Sequence, residues 1–186
     1  HFEAIEEGAE NTSILASIAG PFAVLLVPVV GIAAWQLAAA AITGFIAKEN
    51  VVGTIATVYA ITNFIDPDEL ELIGSGNAVA TAMGITKVAA LAYLMFNLYT
   101  PPCFAALGAM NSEMQSGKWL FAGICLQLAT GFTVGFLVYQ IGTLVTTGSL
   151  GAGFVGGLIA VLVFAAVIVT LIMRANRAID TEYQLD

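Results

Sequence analysis

Histidine and positive charge are scarce in this chain of 186 residues: one His and five Lys and Arg stand beside thirteen Asp and Glu. A lone histidine at position 1 excludes both a histidine metal cluster and a serine–histidine triad. Five basic residues cannot neutralise a run of phosphates, so nucleic acid is not a partner. Only two cysteines are present, Cys103 and Cys125, both in apolar surroundings, and they form no disulfide framework. No G-x-x-x-x-G-K-[ST] occurs, so this chain holds no P-loop. The G-x-G-x-x-G match at Gly151–Gly156 follows no strand and has no acidic partner downstream, which removes a dinucleotide site. Gly153 with Gly157, and Gly131 with Gly135, instead show the small-xxx-small spacing of packed membrane helices. The acidic start lacks the basic opening of a signal peptide.

What fills the chain is apolar: 59% of residues are hydrophobic, 10% are charged, and the mean hydropathy is +0.94. A soluble domain carries about 25% charged residues, so this surface faces something other than water. The charges cluster. None occurs over 11–47, 88–112 or 119–173, and the last stretch is long enough for two membrane spans and a turn. Strand alternation is absent, which disfavours an outer-membrane barrel. The fold class is therefore all-α: a polytopic membrane protein of about five or six apolar helical segments, some broken or re-entrant.

Along the chain, 1–11 is an acidic N-terminal segment and 12–64 a region of broken helices: Pro21 and Pro28, with Gly20 and Gly31, interrupt the apolar run, giving a helix over about 12–27, a break, and a second helix beginning near 31–35. Residues 65–78 form an acidic loop without a basic residue. Over 79–173 the transmembrane helices follow, the first broken at Thr100-Pro101-Pro102-Cys103, with a polar loop over 111–118. The tail 174–186 carries Arg174 and Arg177, which by the positive-inside bias puts the C-terminus in the cytoplasm and the acidic loop outside. A membrane chain that opens in this way is expected to be part of something longer.

Two places carry chemistry. Cys103 follows two prolines inside a hydrophobic region, where freed carbonyls need partners and irregular backbone is tolerated only inside protein or beside a water-filled path. A thiolate suits late first-row metals, and backbone, amide and hydroxyl oxygens can complete a transient shell. The other reading is a buried cysteine acting as a small hydrophobe, and Cys125 fits that reading. Lys48 and Glu49 lie between apolar segments, either as a gate lining a pathway or as a helix end with a snorkelling lysine. Asn50, Thr54 and Thr57 extend one polar face from Lys48, and Asn97, Tyr99 and Thr100 do so before Pro101 and Pro102. Gln127 and Gln140 read as interhelical hydrogen-bonders.

Gly44-Phe-Ile-Ala-Lys-Glu-Asn-Val-Val-Gly-Thr54 resembles the second gate motif of the ferrous iron transport protein B family, and Leu98-Tyr-Thr-Pro-Pro-Cys-Phe-Ala105 resembles that family's Y-x-P-C segment. Similarity runs in order over about 13–140, including Ser116-Gly-Lys-Trp119 and Phe136-Leu-Val-Tyr-Gln140. The doubled proline and Asn50 depart from the family pattern. The resemblance implies passage of Fe²⁺ into the cytoplasm across a bacterial inner membrane, with no cofactor bound in this chain and Fe²⁺ as substrate. It implies a cytosolic GTPase and a first gate ahead of this region, Cys103 as an iron-contacting residue, and Lys48, Glu49, Asn50, Thr54, Tyr99, Thr100 and Pro102 along the gate and pathway. This chain itself is expected to be no enzyme, its partners being Fe²⁺, the bilayer and the two missing parts. Unpartnered glycine faces can also pair two copies as a homo-oligomer. Other readings are a carrier of nucleosides or another organic solute, a membrane thiol enzyme using Cys103 and Cys125, and an inactive structural half.

Overall fold

The computed structural model describes residues 14–48, 50–58 and 83–183. The acidic segment 1–11, the acidic loop 65–78 and Glu49 lie outside the described residues. Within them the chain is helical: α1 (Ile14–Val30), α2 (Trp35–Thr43), α3 (Asn50–Val58), α4 (Lys87–Tyr99), α5 (Phe104–Met114), α6 (Gly117–Thr147) and α7 (Phe154–Tyr183).

Three helical stretches, Lys87–Met114, Gly117–Thr147 and Phe154–Arg174, are long and apolar enough to cross a bilayer. A fourth arises if α1 and α2, bent by 100° at their junction, make one broken span. The apolar surface points outward. On α7, Val155 is 69% exposed and Leu162 59%, and large aliphatic side chains run along it to Met173. In water such a face would be untenable, whereas against lipid it is required. The chain is a multi-pass membrane protein region.

Pro21 lies inside α1 as expected of a helix over 12–27, and Pro28 lies inside it too, so the helix runs to Val30, past its expected end. Membrane helices tolerate proline where neighbouring groups satisfy the freed backbone. The break falls at Gly31, one of the residues expected to interrupt the run; its φ of 87° suits only glycine, and its N–H donates to the Val27 carbonyl at 2.8 Å. The polar loop expected over 111–118 is also mostly helix: α5 continues through Asn111, Ser112 and Glu113 to Met114, and Gln115 in the left-handed region ends it. Short polar residues cap helices but do not forbid them.

The core is small and alanine-rich. Ala19, Ala23, Val29 and Val30 of α1, Leu37, Ala38 and Ala39 of α2, and Ala89, Ala92 and Tyr93 of α4 pack with Tyr139 of α6. Small residues let backbones approach closely, so dispersion and short hydrogen bonds replace the hydrophobic effect that lipid cannot supply. Gly131 and Gly135 do this on α6. A Cβ on Gly131 would lie 3.0 Å from the Phe96 carbonyl, and one on Gly135 would lie 2.8 Å from Val29 and 3.2 Å from the Ala92 carbonyl. Gly153 and Gly157 are pressed in the same way against Pro28, and Gly157 also against Phe136. Gly142 meets Val88, so α4 and α6 run antiparallel, and the C-terminal end of α4 lies opposite the middle of α6.

Candidate functional site

Two irregular segments face each other there. One is the turn after α2, residues 44–48. The other is Thr100–Cys103, where α4 stops and α5 begins. Thr100 is extended at ψ 158°, and Cys103 is the residue before α5, also extended. Thr100 N lies 3.4 Å from a Cβ built on Gly131, which stands near the midpoint of the 31-residue α6. The break therefore sits at mid-span depth, where irregular backbone must be sheltered by protein or water.

The break orphans particular carbonyls, and the reason can be read from the residues. In a continuous helix the Asn97 carbonyl would accept from the N–H of residue 101, and that of Leu98 from residue 102. Both are proline and have no N–H. The Thr100 carbonyl would accept from Phe104, but Phe104 N–H donates instead across to the Phe45 carbonyl of the facing turn, at 3.1 Å. The Lys48 ammonium fills all three vacancies, donating to the carbonyls of Asn97 at 2.9 Å, Leu98 at 3.2 Å and Thr100 at 3.0 Å. An unsatisfied carbonyl away from water costs about 1–3 kcal/mol, so a three-proton donor at this spot is a substantial stabilisation. These oxygens also form the negative end of α4, which favours a cation.

The surroundings are polar for a membrane interior. Thr100 Oγ1 donates to the Asn97 carbonyl at 2.7 Å, and Asn97 Nδ2 to the Tyr93 carbonyl at 2.9 Å. The hydroxyls of Thr43 and Thr54 are hydrogen-bonded at 2.8 Å, tying α2 to α3. The Tyr93 hydroxyl donates to the Leu37 carbonyl at 2.7 Å, holding α2 against α4. Cys103 is half-buried, a free thiol making no capping hydrogen bond. Pro101 is fully buried, and Pro102 is half-buried beside Cys103.

The structure thus brings Lys48, Thr100, Pro102 and Cys103 to one break and sets Thr54 behind the facing turn. Asn50 is exposed at the start of α3, and Tyr99 is 45% exposed and takes no part in the Lys48 contact. Sequence reasoning missed the carbonyls of Phe45 and Leu98, since backbone oxygens carry no residue signature. The missing N–H groups of Pro101 and Pro102 were the available signal. Gln140 is buried and bonded as expected, accepting from Gly151 N–H at 2.9 Å while its amide reaches Pro28 and Ala152. Gln127 differs: one turn before Gly131, it buries Oε1 without a partner. Cys125 lines an apolar groove of about 820 Å³ between α6 and α7 with Phe164 and Val167. It stands on a different side of α6 from the Gly131 face, which gives no support to pairing with Cys103. Among the described residues no three His, Cys, Asp or Glu side chains converge, so a metal held at the break would rely on one sulfur and on neutral oxygens.

Residues 6–117 match the family described as "Gate: Nucleoside recognition". Among curated proteins, the Fe(2+) transporter FeoB of Staphylococcus aureus strain MSSA476 is 30% identical over 134 residues, covering 72% of this chain and 18% of that protein. The Fe(2+) transporter FeoB of Salmonella typhi is 28% identical over 216 residues, covering 92% of this chain and 27% of that protein. The chain thus spans less than a third of the length of these relatives. No solved structure matches it. With a gate-family match over more than half its length and its broken helices inside that match, the chain belongs to the Gate family and is similar to the membrane region of FeoB transporters.

Proposed function

We propose that this chain is the membrane permeation region of a ferrous iron transporter and that Fe²⁺ passes the break at Thr100–Cys103. The observation that carries the reading is the pair of facing irregular segments at mid-span depth, with a free thiol and three helix-end carbonyls held by the Lys48 ammonium at their junction. Discontinuous helices of this kind build ion sites in transporters. Fe²⁺ sheds part of its hydration shell there, taking the Cys103 sulfur and nearby carbonyl, hydroxyl or amide oxygens in exchange. Movement of the turn bearing Lys48 and Glu49 then opens the inner side. Asn50, Thr54, Tyr99, Thr100 and Pro102 shape the path.

The likeness of the Gly44–Thr54 and Leu98–Ala105 motifs to the ferrous iron transport protein B family supports entry into the cytoplasm through a bacterial inner membrane, gated by a GTPase domain. The antiparallel packing of α6 and α7 supports a cytoplasmic C-terminus. It sets Lys118 at the same end as Arg174 and Arg177, leaving Lys87 at the other.

The description of the family model favours a second reading, a nucleoside carrier. Uptake into proteoliposomes containing the intact transporter separates the two. Under anaerobic, reducing conditions ferrous ion accumulates and radiolabelled nucleosides do not. Nucleoside uptake without ferrous uptake would replace the iron reading with the second.

A further inference from the structure

We propose that the three carbonyls of Asn97, Leu98 and Thr100 form a cation site whose resident occupant is the Lys48 ammonium, and that a permeating cation enters the break by exchanging with it. The exchange rests on the transport reading above; the site itself does not.

The oxygens are orphaned for reasons independent of lysine. Two face prolines without N–H groups, and the third lost its donor when Phe104 N–H turned to Phe45. Remove Lys48 and they remain three main-chain acceptors gathered at the negative end of a helix, at mid-span depth, with only the Thr100 hydroxyl left donating to one of them, the Asn97 carbonyl. Such a set binds cations by replacing hydration water with carbonyl oxygen. An ammonium is a compact point charge with three N–H donors, and here all three acceptors lie within 3.2 Å of Nζ. It fills the site as an inorganic cation would, but on a tether.

Two further observations argue for exchange rather than a permanent staple. The Lys48 side chain is exposed, so packing does not wall it in. Its backbone belongs to the turn between two nine-residue helices, which a short rotation can withdraw. Ammonium and metal cannot share these oxygens, because both the ligands and the charge conflict. The occupied site is therefore closed, and the emptied one is open to a cation.

The test uses the intact transporter, purified and reconstituted. Lys48→Ala should raise nucleotide-independent ferrous entry by at least about tenfold, equivalent to about 1.4 kcal/mol, while Lys48→Arg, which keeps a donor-bearing cation, should stay closed. Millimolar n-propylammonium should close the Lys48→Ala protein again and raise its unfolding temperature. Tetramethylammonium, equally charged but without N–H groups, should do neither. Lys48→Met, similar in length to lysine, replaces Lys48→Ala should the latter not fold. The proposal is overturned if the neutral variants transport under the same nucleotide control as the wild type, or if propylammonium leaves their unfolding temperature unchanged. Absence of ferrous entry from every variant and from the wild type, with the propylammonium shift intact, would instead defeat the transport reading and leave the cation site standing.

Discussion

Cys103 and Cys125 are the two thiols of the chain, and their settings separate their roles. Cys103 is the residue before α5 at the break, whereas Cys125 lies in an apolar groove against α7. Replacing Cys103 by Ser exchanges a soft donor for a hard one at nearly constant size. Ferrous uptake should fall by about tenfold or more, a loss of about 1.4 kcal/mol at the site. Cys125→Ser should transport like the wild type. Uptake measured on the two variants side by side checks both statements, and equal uptake would remove sulfur from the pathway. Tyr93→Phe tests a purely structural contact. Losing the buried hydrogen bond to the Leu37 carbonyl should lower stability by about 1 kcal/mol, read as thermal unfolding in detergent.

Helix packing here depends on absent side chains. On α6, a Cβ at Gly135 would press on Val29 and on the Ala92 carbonyl, while one at Gly123 meets nothing within 4 Å. Gly135→Ala should therefore destabilise by about 1–3 kcal/mol through overpacking. Gly123→Ala should be neutral or stabilise by up to about 1 kcal/mol through helix propensity. Unfolding temperatures of the two variants check the contrast. How far such elements could be read from sequence depended on the residue. Pro101 and Pro102 announced the break because a missing N–H is a covalent fact. The helix end expected at 27 fell short, since a membrane helix can absorb a proline such as Pro28 when its neighbours compensate, and Gly31 with its positive φ made the corner. Asn111 to Met114 read as loop because polar residues favour turns, yet they continue α5.

At the scale of the molecule, the membrane character and the all-helical class were legible in the long charge-free stretches. The meeting of the turn 44–48 with the break 100–103 was not, because the contacts join residues about fifty positions apart through main-chain oxygens. Lys48 was visible as a costly charge in an apolar run, but not the three carbonyls that hold it. Small packing residues, two interrupted helices and one exposed lysine together make a polar spot on a lipid-facing bundle. The account stands on that spot being a wet path for Fe²⁺. The direct measurement is the rate at which a membrane-impermeant thiol reagent modifies Cys103, in a Cys125→Ser background of the intact transporter, with and without ferrous ion. Modification should proceed, and Fe²⁺ but not Mg²⁺ should slow it. A thiol that never reacts, or one that reacts at the same rate whatever metal is present, would contradict a ferrous pathway at the break.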